Sequence, residues 1–470
     1  MVRGKGYREI TQHYPHPGWV EHDAGEIWDA VQETARQALK AAGAEARDVR
    51  AIGITNQRET LVLWDRRTLE PLAPAIVWQD RRTAAECARL IEAGHADRVR
   101  EITGLVIDPY FTATKLAWAL NHVGGAADAA VGTVDSWLIA KLSAGRDHVT
   151  DASNASRTLL FDIGRGKWSE EMAGLFGVSL DNLPRVVDSS GPVSRSDPEA
   201  FGGVEAAISG IAGDQQAALF GQACTAVGMA KNTYGTGSFV LTQTGGRRVA
   251  STTGMLTTVA WRRGGGLSYA LEGAIFITGA ALQWLRDGLG IIASAAEAGP
   301  LAASVRDSGG VFLVPAFVGL GAPHWDPYAR GAIIGLTRGS GRAQVVRAAV
   351  EAMAYQTRDV VEAMERDAGT GLSELRVDGG AAVMDLLCQF QADLLGIPVR
   401  RPVQTETTAL GAAFLAGLGA GVWSEADLEG LWRLDREFEP RMSRDQAAAL
   451  QERWKDAVKR SLAWALPDNQ

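Results

Sequence analysis

The chain has 470 residues, 46% of them hydrophobic, and a formal net charge of -8. That length predicts two or three packed domains, and the mildly acidic balance excludes binding to nucleic acid through a basic surface. Three cysteines (Cys87, Cys224 and Cys388) lie too far apart for a disulfide framework or a zinc motif. No apolar run reaches the roughly 18 residues of a membrane span, and the first residues resemble no targeting peptide, so we expect a cytoplasmic protein.

The first predicted element is a helix between Asp23 and Gly43. Asp23 with Glu26 three residues later is a capping-box pattern, and Gly43 is a typical helix stop. A buried strand is predicted next, in VRAIGITNQRET. The polar segment TNQRE then falls just past the end of that strand.

Further strands and helices alternate through the first half of the chain. ETLVLWD and APAIVWQD are strand-like, 81–93 and 112–122 are helical, and VGTVDSWLIAKLSAG predicts a strand leading into a helix. This alternation predicts the α/β class. A domain boundary is expected near GQACTAVGMAKNTYG, where small residues precede a new strand pattern.

The second half contains a long amphipathic helix, AQVVRAAVEAMAYQTRDVVEAME, and a strand–turn–helix, LRVDGGAAVMDLLCQFQADLLG. A last helix is predicted from Ser443, with Gln446 in the capping-box position.

Two glycine-containing turns could approach a nucleotide. In VDGG the turn places backbone N–H groups at a helix start, although many α/β proteins have such a turn without a ligand. In NTYGTGSF, Gly235 and Gly237 flank Thr236 and could cradle phosphates; the segment alone slightly favours a plain hairpin turn. The chain has no Walker sequence and no GxGxxG between a strand and a helix, so a P-loop or Rossmann route is excluded.

Arg58 and Glu59 follow a buried strand, where open α/β sheets bind ligands. A guanidinium donates to hydroxyl oxygens and a carboxylate accepts from hydroxyl hydrogens, so the pair suits a polyol. A surface ion pair is an equal alternative. Trp78 and Tyr110, taken alone, are more typical of core or interface aromatics than of ligand platforms.

Asp214 is a single carboxylate within SGIAGDQQAALFGQ. Its neighbours Ile211, Ala212 and Gly213 are predicted to be buried, and an unpaired buried carboxylate is costly. A helix N-cap would explain it, because QQAALFG is helical in pattern and Asp is a preferred cap. A catalytic role is compatible with that position.

Taken together, these pieces resemble the FGGY carbohydrate kinase family, in particular its members that phosphorylate glycerol. The matching strings appear in the family's order and cover almost the whole chain. They are YPHPGWVEHD, GITNQRET, GLVIDPYF, FTATKLAWALNH, TDASNASRTLLF, GIAGDQQAALFGQ, KNTYGTGSF, YALEGAIF, HWDPYARGAIIGLTRG and LRVDGG.

The resemblance implies two actin-like (ribonuclease H-like, ASKHA) α/β domains around a central cleft. It divides the chain into a glycerol-binding domain (1–222), a nucleotide-binding domain (229–420) and a helical tail (421–470). The implied reaction converts ATP and glycerol to ADP and sn-glycerol 3-phosphate with Mg²⁺. The implied partners are glycerol and MgATP, and a homo-oligomer, either dimer or tetramer, is expected.

The resemblance also assigns roles to residues. Asp214 is the implied general base, which suffices because phosphoryl transfer demands mainly positioning and charge neutralisation. The residues implied to bind the glycerol hydroxyls are Arg58, Glu59, Tyr110, Asp214 and Gln215, and those implied to cover its carbon skeleton are Trp78 and Phe239. The implied nucleotide residues are Thr236, Gly279, Gln283 and Gly380.

The sequence departs from the family pattern in several places. Met384 stands where the family usually has an asparagine near the adenine, which removes one base contact. The family's N-terminal phosphate-binding hairpin is missing, so we expect a truncated version of a longer protein, a first domain lacking its first strands, and severely reduced kinase activity. FGGVEAAISG has no basic residue and 185–208 has no histidine, so neither sugar-bisphosphate nor phosphohistidine control is expected.

Two other functions remain open from the sequence. One is a kinase of the same family for another polyol or sugar, although Trp78 and Phe239 leave little room beyond a small triol. The other is a non-catalytic polyol-binding protein, which the missing hairpin favours.

Overall fold

The computed structural model describes residues 2–465, in which strands and helices alternate as predicted for the α/β class. The strands are β1 (Glu21–His22), β2 (Ala51–Asn56), β3 (Leu61–Trp64), β4 (Ala75–Ile76), β5 (Ala130–Thr133), β6 (Val149–Asp151), β7 (Phe161–Asp162), β8 (Lys167–Trp168), β9 (Arg185–Val187), β10 (Ser190–Arg195), β11 (Ala207–Gly213), β12 (Met229–Tyr234), β13 (Ser238–Gly245), β14 (Leu256–Arg263), β15 (Gly266–Ile275), β16 (Phe312–Val314), β17 (Ala332–Ile334), β18 (Glu374–Asp378), β19 (Val399–Pro402) and β20 (Leu434–Phe438).

The α-helices are α1 (Ala24–Ala42), α2 (Ala84–Glu92), α3 (Ala96–Thr103), α4 (Thr112–His122), α5 (Val134–Leu142), α6 (Ala152–Ala155), α7 (Glu170–Phe176), α8 (Asp214–Gly221), α9 (Gly279–Asp287), α10 (Ala295–Ala303), α11 (Arg342–Ala368), α12 (Asp385–Leu395), α13 (Thr407–Gly419), α14 (Glu425–Leu431) and α15 (Arg444–Lys459). No helix within residues 2–465 is long and apolar enough to cross a membrane.

Local capping explains why α1 forms where the sequence predicts it. The Asp23 carboxylate accepts hydrogen bonds from the backbone N–H groups of Gly25 and Glu26, at 2.7 and 3.2 Å. These bonds satisfy donors that have no partner within a helix. At the other end, Gly43 takes a left-handed conformation with φ +63°, and its N–H bonds back into the last turn.

A mixed sheet of ten strands positions the site, in the order β2-β11-β10-β14-β15-β13-β12-β18-β19-β20. At one edge, β2 and β11 are parallel, and Asn56 lies opposite Gly213. Parallel strands have their carboxyl ends at the same edge, so the residues that follow β2 lie beside those that follow β11. A second sheet, in the order β1-β4-β3-β5, belongs to the first half of the chain.

The second half is built around α11, which is buried along most of its 27 residues. Apolar side chains of α11 pack with those of α10, α12, α15 and β16 in one continuous core. This core holds β12 and β18 side by side in parallel. It therefore supports the hairpin and the glycine turn at the ends of those two strands.

Two local predictions differ from the structure. A 3₁₀ turn over Gly380–Val383 separates β18 from α12, so the helix does not begin directly after the two glycines. The tail predicted as helical also contains a strand, because β20 pairs antiparallel with β19 between α14 and α15. Residues 466–470 of that tail lie outside the described residues.

Candidate active site

Arg58 and Glu59 follow β2 in a tight turn. Glu59 has φ +62°, and the Thr60 N–H donates to the Arg58 carbonyl at 2.7 Å. A left-handed conformation at a residue other than glycine costs about 1–3 kcal/mol and persists where surrounding contacts hold it. The turn directs both charged side chains into the protein, where they are only 2% and 1% exposed. The surface ion-pair alternative is therefore wrong.

The contacts that hold this turn come from Arg157 and Glu272, which are fully buried. Arg58 donates to the Glu272 carboxylate through Nη1 at 2.5 Å and Nη2 at 3.0 Å. Arg157 donates to Glu272 Oε1 at 2.9 Å and to Glu59 Oε1 at 2.7 Å. Two guanidinium groups and two carboxylates thus form one buried ion cluster (Arg58, Glu59, Arg157 and Glu272).

The two carboxylates of the ion cluster differ electrostatically. Burial alone would raise the pKa of Glu272, but the positive charges of Arg157 and Arg58 and the hydrogen bonds of Arg58 lower it to about 2. For Glu59, burial outweighs its attraction to the same arginines and raises its pKa. The charged form of Glu272 is therefore strongly stabilised, whereas the charged form of Glu59 is less favoured than that of an exposed glutamate.

Asp214 lies beside the ion cluster and is more exposed than its sequence neighbours indicate. Its side chain is 34% exposed, and Arg58 Nε lies 3.1 Å from its Oδ1. The Gln215 N–H also donates to Oδ1, at 2.7 Å. Within residues 2–465, Oδ2 has no hydrogen-bond partner. The contacts to Oδ1 thus fix the carboxylate, while Oδ2 is free to accept a proton.

The N-cap explanation of Asp214 is wrong by one residue. Gly213 occupies the cap position, and Asp214 is the first residue of α8. A carboxylate in the first helical turn is favoured by the helix dipole. The predicted burial of Ile211 and Ala212 is confirmed, since they are 0% and 1% exposed.

Gln215 contacts a buried lysine that the sequence analysis missed. Lys231 Nζ donates to Gln215 Oε1 at 2.5 Å and to Thr233 Oγ1 at 2.9 Å. Lys231 is 0% exposed, and burial lowers its pKa to about 8 against the opposing attraction of nearby carboxylates. The contact joins β12 to the start of α8.

The three aromatic residues predicted for the substrate are connected around Arg58. Tyr110 Oη lies 3.5 Å from Arg58 Nη2, and the Trp78 ring meets the Tyr110 ring edge-on at 5.5 Å. The Phe239 ring centroid lies 5.8 Å from Arg58 Cζ. The structure therefore brings together all the residues predicted to bind substrate.

The segment with Thr236 is both a hairpin turn and a contact to another element. β12 and β13 are antiparallel, and residues 235–237 connect them. The Thr236 carbonyl accepts from the N–H groups of Thr278 and Ala280 at 2.9 and 3.0 Å, and the Gly235 carbonyl accepts from Gly279 at 3.0 Å. The hairpin thus lies against the start of α9, which also carries the exposed side chain of Gln283.

Gly380 lies next to the same hairpin. Gly379 has φ +83°, and a Cβ at this position would lie 2.4 Å from the Tyr234 carbonyl oxygen. Only glycine allows this close approach. Met384 is partly buried and faces α10, since a Cβ on Gly299 would lie 3.4 Å from its Cγ. The four predicted nucleotide residues therefore occupy neighbouring elements.

Arg157, Glu272 and Lys231 are the site residues that sequence reasoning did not single out. Glu272 is one charge in the apolar string YALEGAIF, the same signal that drew attention to Asp214. Lys231 likewise interrupts the apolar start of β12. Glu272 and Lys231 are each a single charge within a predicted buried strand, and this costly arrangement is the signal that points to them.

Comparison with known proteins places the chain among carbohydrate kinases. The model for "FGGY family of carbohydrate kinases, N-terminal domain" matches residues 1–221, and the model for the C-terminal domain matches 230–420. A glycerol kinase of Dechloromonas aromatica is 60% identical over 99% of this chain and 94% of its own length. Glycerol kinase 2 of Thermotoga maritima is 55% identical over 98% of this chain and 95% of its own.

Solved structures agree with these relatives. The crystal structure of Plasmodium falciparum glycerol kinase with ADP superposes with a TM-score of 0.90 at 34% identity, and covers 97% of this chain and 92% of that one. A xylulose kinase from Rhodospirillum rubrum, at 23% identity and a TM-score of 0.83, shares the fold. The predicted two-domain kinase fold is confirmed.

Proposed function

We infer the function from one premise: the chain belongs to the FGGY family of carbohydrate kinases. Eight relatives at 54–60% identity over nearly the whole chain are glycerol kinases. The chain is accordingly an ATP-dependent glycerol phosphotransferase that forms sn-glycerol 3-phosphate and ADP. The observation that carries the residue roles is the Asp214 carboxylate, which has one fixed oxygen and one free oxygen.

The described contacts leave two acceptors and two donors for the hydroxyls of glycerol. Within residues 2–465, Asp214 Oδ2 and Glu59 Oε2 have no hydrogen-bond partner. Gln215 Nε2 is likewise unpaired. Arg58 Nη2 donates to Glu272 Oε1 at 3.0 Å, and its other contact is a long one of 3.5 Å to the Tyr110 hydroxyl, which a glycerol hydroxyl oxygen could replace. Acceptors and donors on adjacent residues suit vicinal hydroxyl groups. Trp78 and Phe239 cover the carbon skeleton.

In the proposed mechanism, Asp214 Oδ2 takes the proton of the attacking hydroxyl of glycerol. The hydroxyl oxygen forms the new bond to the terminal phosphorus of ATP, and the bond from that phosphorus to ADP breaks. Thr236, Gly279, Gln283 and Gly380 bind the nucleotide in this proposal. Its support is that they lie on neighbouring elements of the second half.

Mg²⁺ is also part of the proposal. Mg²⁺ is usually held by substrate phosphates, water and one or two carboxylates, and no group of three or more metal-binding side chains occurs among the residues that the structure describes. When bound, the ion neutralises phosphate charge.

The test is the variant Asp214→Asn, assayed for glycerol 3-phosphate formation with MgATP. Loss of a general base is expected to lower kcat by about 10²–10⁴-fold while glycerol still binds in calorimetry. Asp197→Asn is the matched control, because Asp197 pairs with Arg146 on the surface at 2.7 Å. Wild-type activity retained in Asp214→Asn would refute the base. Glycerol binding without MgATP binding in the wild-type chain would favour a polyol-binding protein.

We also propose a cytoplasmic homo-oligomer, a dimer or a tetramer. The three cysteines are free and buried, which suits a reducing compartment. Val318, Tyr328 and Leu336 expose 63%, 41% and 57% of their surfaces, and such exposed apolar side chains are available for a contact between subunits. Light scattering would measure the assembly.

A further inference from the structure

Lys231 is a fully buried cation that the mechanism above does not use. It lies in β12, within the C-terminal family match, and its Nζ donates to Gln215 Oε1, within the N-terminal match. Burying an ammonium group is costly unless it is paired and hydrogen-bonded. The carboxylates that attract it are those of Asp378, Asp214 and Glu272, while Arg58 opposes it.

The contact between Lys231 and Gln215 fixes which way the amide points. An ammonium group has three donors and no acceptor, so the amide atom that faces it must be the oxygen. The amide nitrogen is on the other side of the planar group and is directed away from Lys231. A glutamine without a neighbour of this kind has no contact that distinguishes the two orientations.

We propose that Lys231 is a positioning residue that orients the Gln215 amide so that Nε2 donates to a glycerol hydroxyl. This inference depends on the proposed function. Asp214 and Gln215 then present an acceptor and a donor side by side. A hydroxyl that gives its proton to Asp214 Oδ2 can keep its oxygen on Gln215 Nε2, and a flipped amide would place a second acceptor there instead.

The experiment is a double-mutant cycle of Lys231→Met and Gln215→Ala, read as separate KM and kcat values. Losing one neutral hydrogen bond is expected to raise the KM for glycerol about five- to tenfold in Lys231→Met, with kcat changed by less than about twofold. In the Gln215→Ala background, the same substitution should add nothing to KM. Lys231→Arg should restore the KM, because a guanidinium is also a pure donor.

An equal increase in KM in both backgrounds would overturn the proposal, since Lys231 would then act independently of Gln215. If Lys231→Met does not fold, a crystal structure of the wild-type chain with glycerol decides the question. Gln215 Nε2 within hydrogen-bond distance of a glycerol oxygen, and Lys231 on Oε1, would support it; Lys231 turned away from Gln215 would overturn it. A wild-type chain that neither binds nor phosphorylates glycerol would refute the proposed function instead.

Discussion

Glu272→Gln removes the charge that holds the buried ion cluster together. The substitution keeps the size of the side chain but replaces one carboxylate oxygen with an amide group that donates towards Arg58 and Arg157. Both guanidinium groups are almost fully buried, so neither can recover the lost interaction from water. We expect a large loss of stability and, because Arg58 also fixes Asp214, a loss of activity.

Two routes give the size of that loss. Removing one partner of a buried ion pair costs about 3–5 kcal/mol, because the remaining charge is left unpaired. Independently, the pKa of Glu272 is lowered from 4.5 to about 2. At about 1.4 kcal/mol for each pKa unit, that shift corresponds to about 3–4 kcal/mol of stability at neutral pH.

The assay is chemical denaturation at pH 7 followed by circular dichroism, with Glu425→Gln as the control. Glu425 pairs with Arg263 at 2.5 Å, but its side chain is 69% exposed, so its loss should cost less than about 1 kcal/mol. Because the pKa of Glu272 is lowered in the folded state, its contribution is complete above pH 4.5 and disappears as the pH falls towards 2. The difference between the wild type and Glu272→Gln should therefore shrink in acid. Equal losses in Glu272→Gln and Glu425→Gln would refute the reasoning.

Three further predictions concern the rest of the site. Gly379→Ala should raise the KM for ATP and lower the melting temperature in differential scanning fluorimetry, because its Cβ would lie 2.4 Å from the Tyr234 carbonyl oxygen; an unchanged KM would contradict the place of this turn at the nucleotide. Trp78→Ala should raise the KM for glycerol about tenfold in steady-state assays, from about 1.4 kcal/mol of lost aromatic contact, with the KM for ATP as the internal control. Burial lowers the pKa of Lys231 from its usual 10.5 to about 8, so the unfolded chain binds more protons at this residue between these two values. The unfolding free energy of the wild type relative to that of Lys231→Met should therefore rise from pH 8 to 10.

Elements set by local signals were predictable from the sequence. α1 has its capping residues within its own sequence, and the observed helix begins and ends where they indicate. β20 has no such signal, because LDREF carries alternating charges and forms a strand only by pairing with β19. In that pair Arg400 binds Glu437 and Arg401 binds Asp435 across the ladder, and charges of this kind protect an edge strand.

The sequence allowed individual site residues to be predicted, but not the contacts between residues that lie far apart in the chain. Motifs identified Arg58 and Asp214 as candidate site residues, and the parallel pairing of β2 with β11 in the structure places them side by side. The partner of Arg58 is Glu272, which lies 214 residues away in sequence. No local pattern indicates such a contact, since it depends on how β15 packs against the first half of the chain.

The buried ion cluster explains why a single carboxylate stands in the apolar segment that ends β11. The two arginines and two glutamates of the cluster balance each other, so Asp214 is an additional negative charge beside the cluster. Arg58 Nε and the Gln215 N–H both bind the same oxygen, Oδ1. Oδ2 therefore points in a fixed direction and has no hydrogen-bond partner within residues 2–465. A general base needs its position to be set in this way before the substrate binds. On this argument the cluster contributes geometry to catalysis although Glu272 and Arg157 need not contact glycerol.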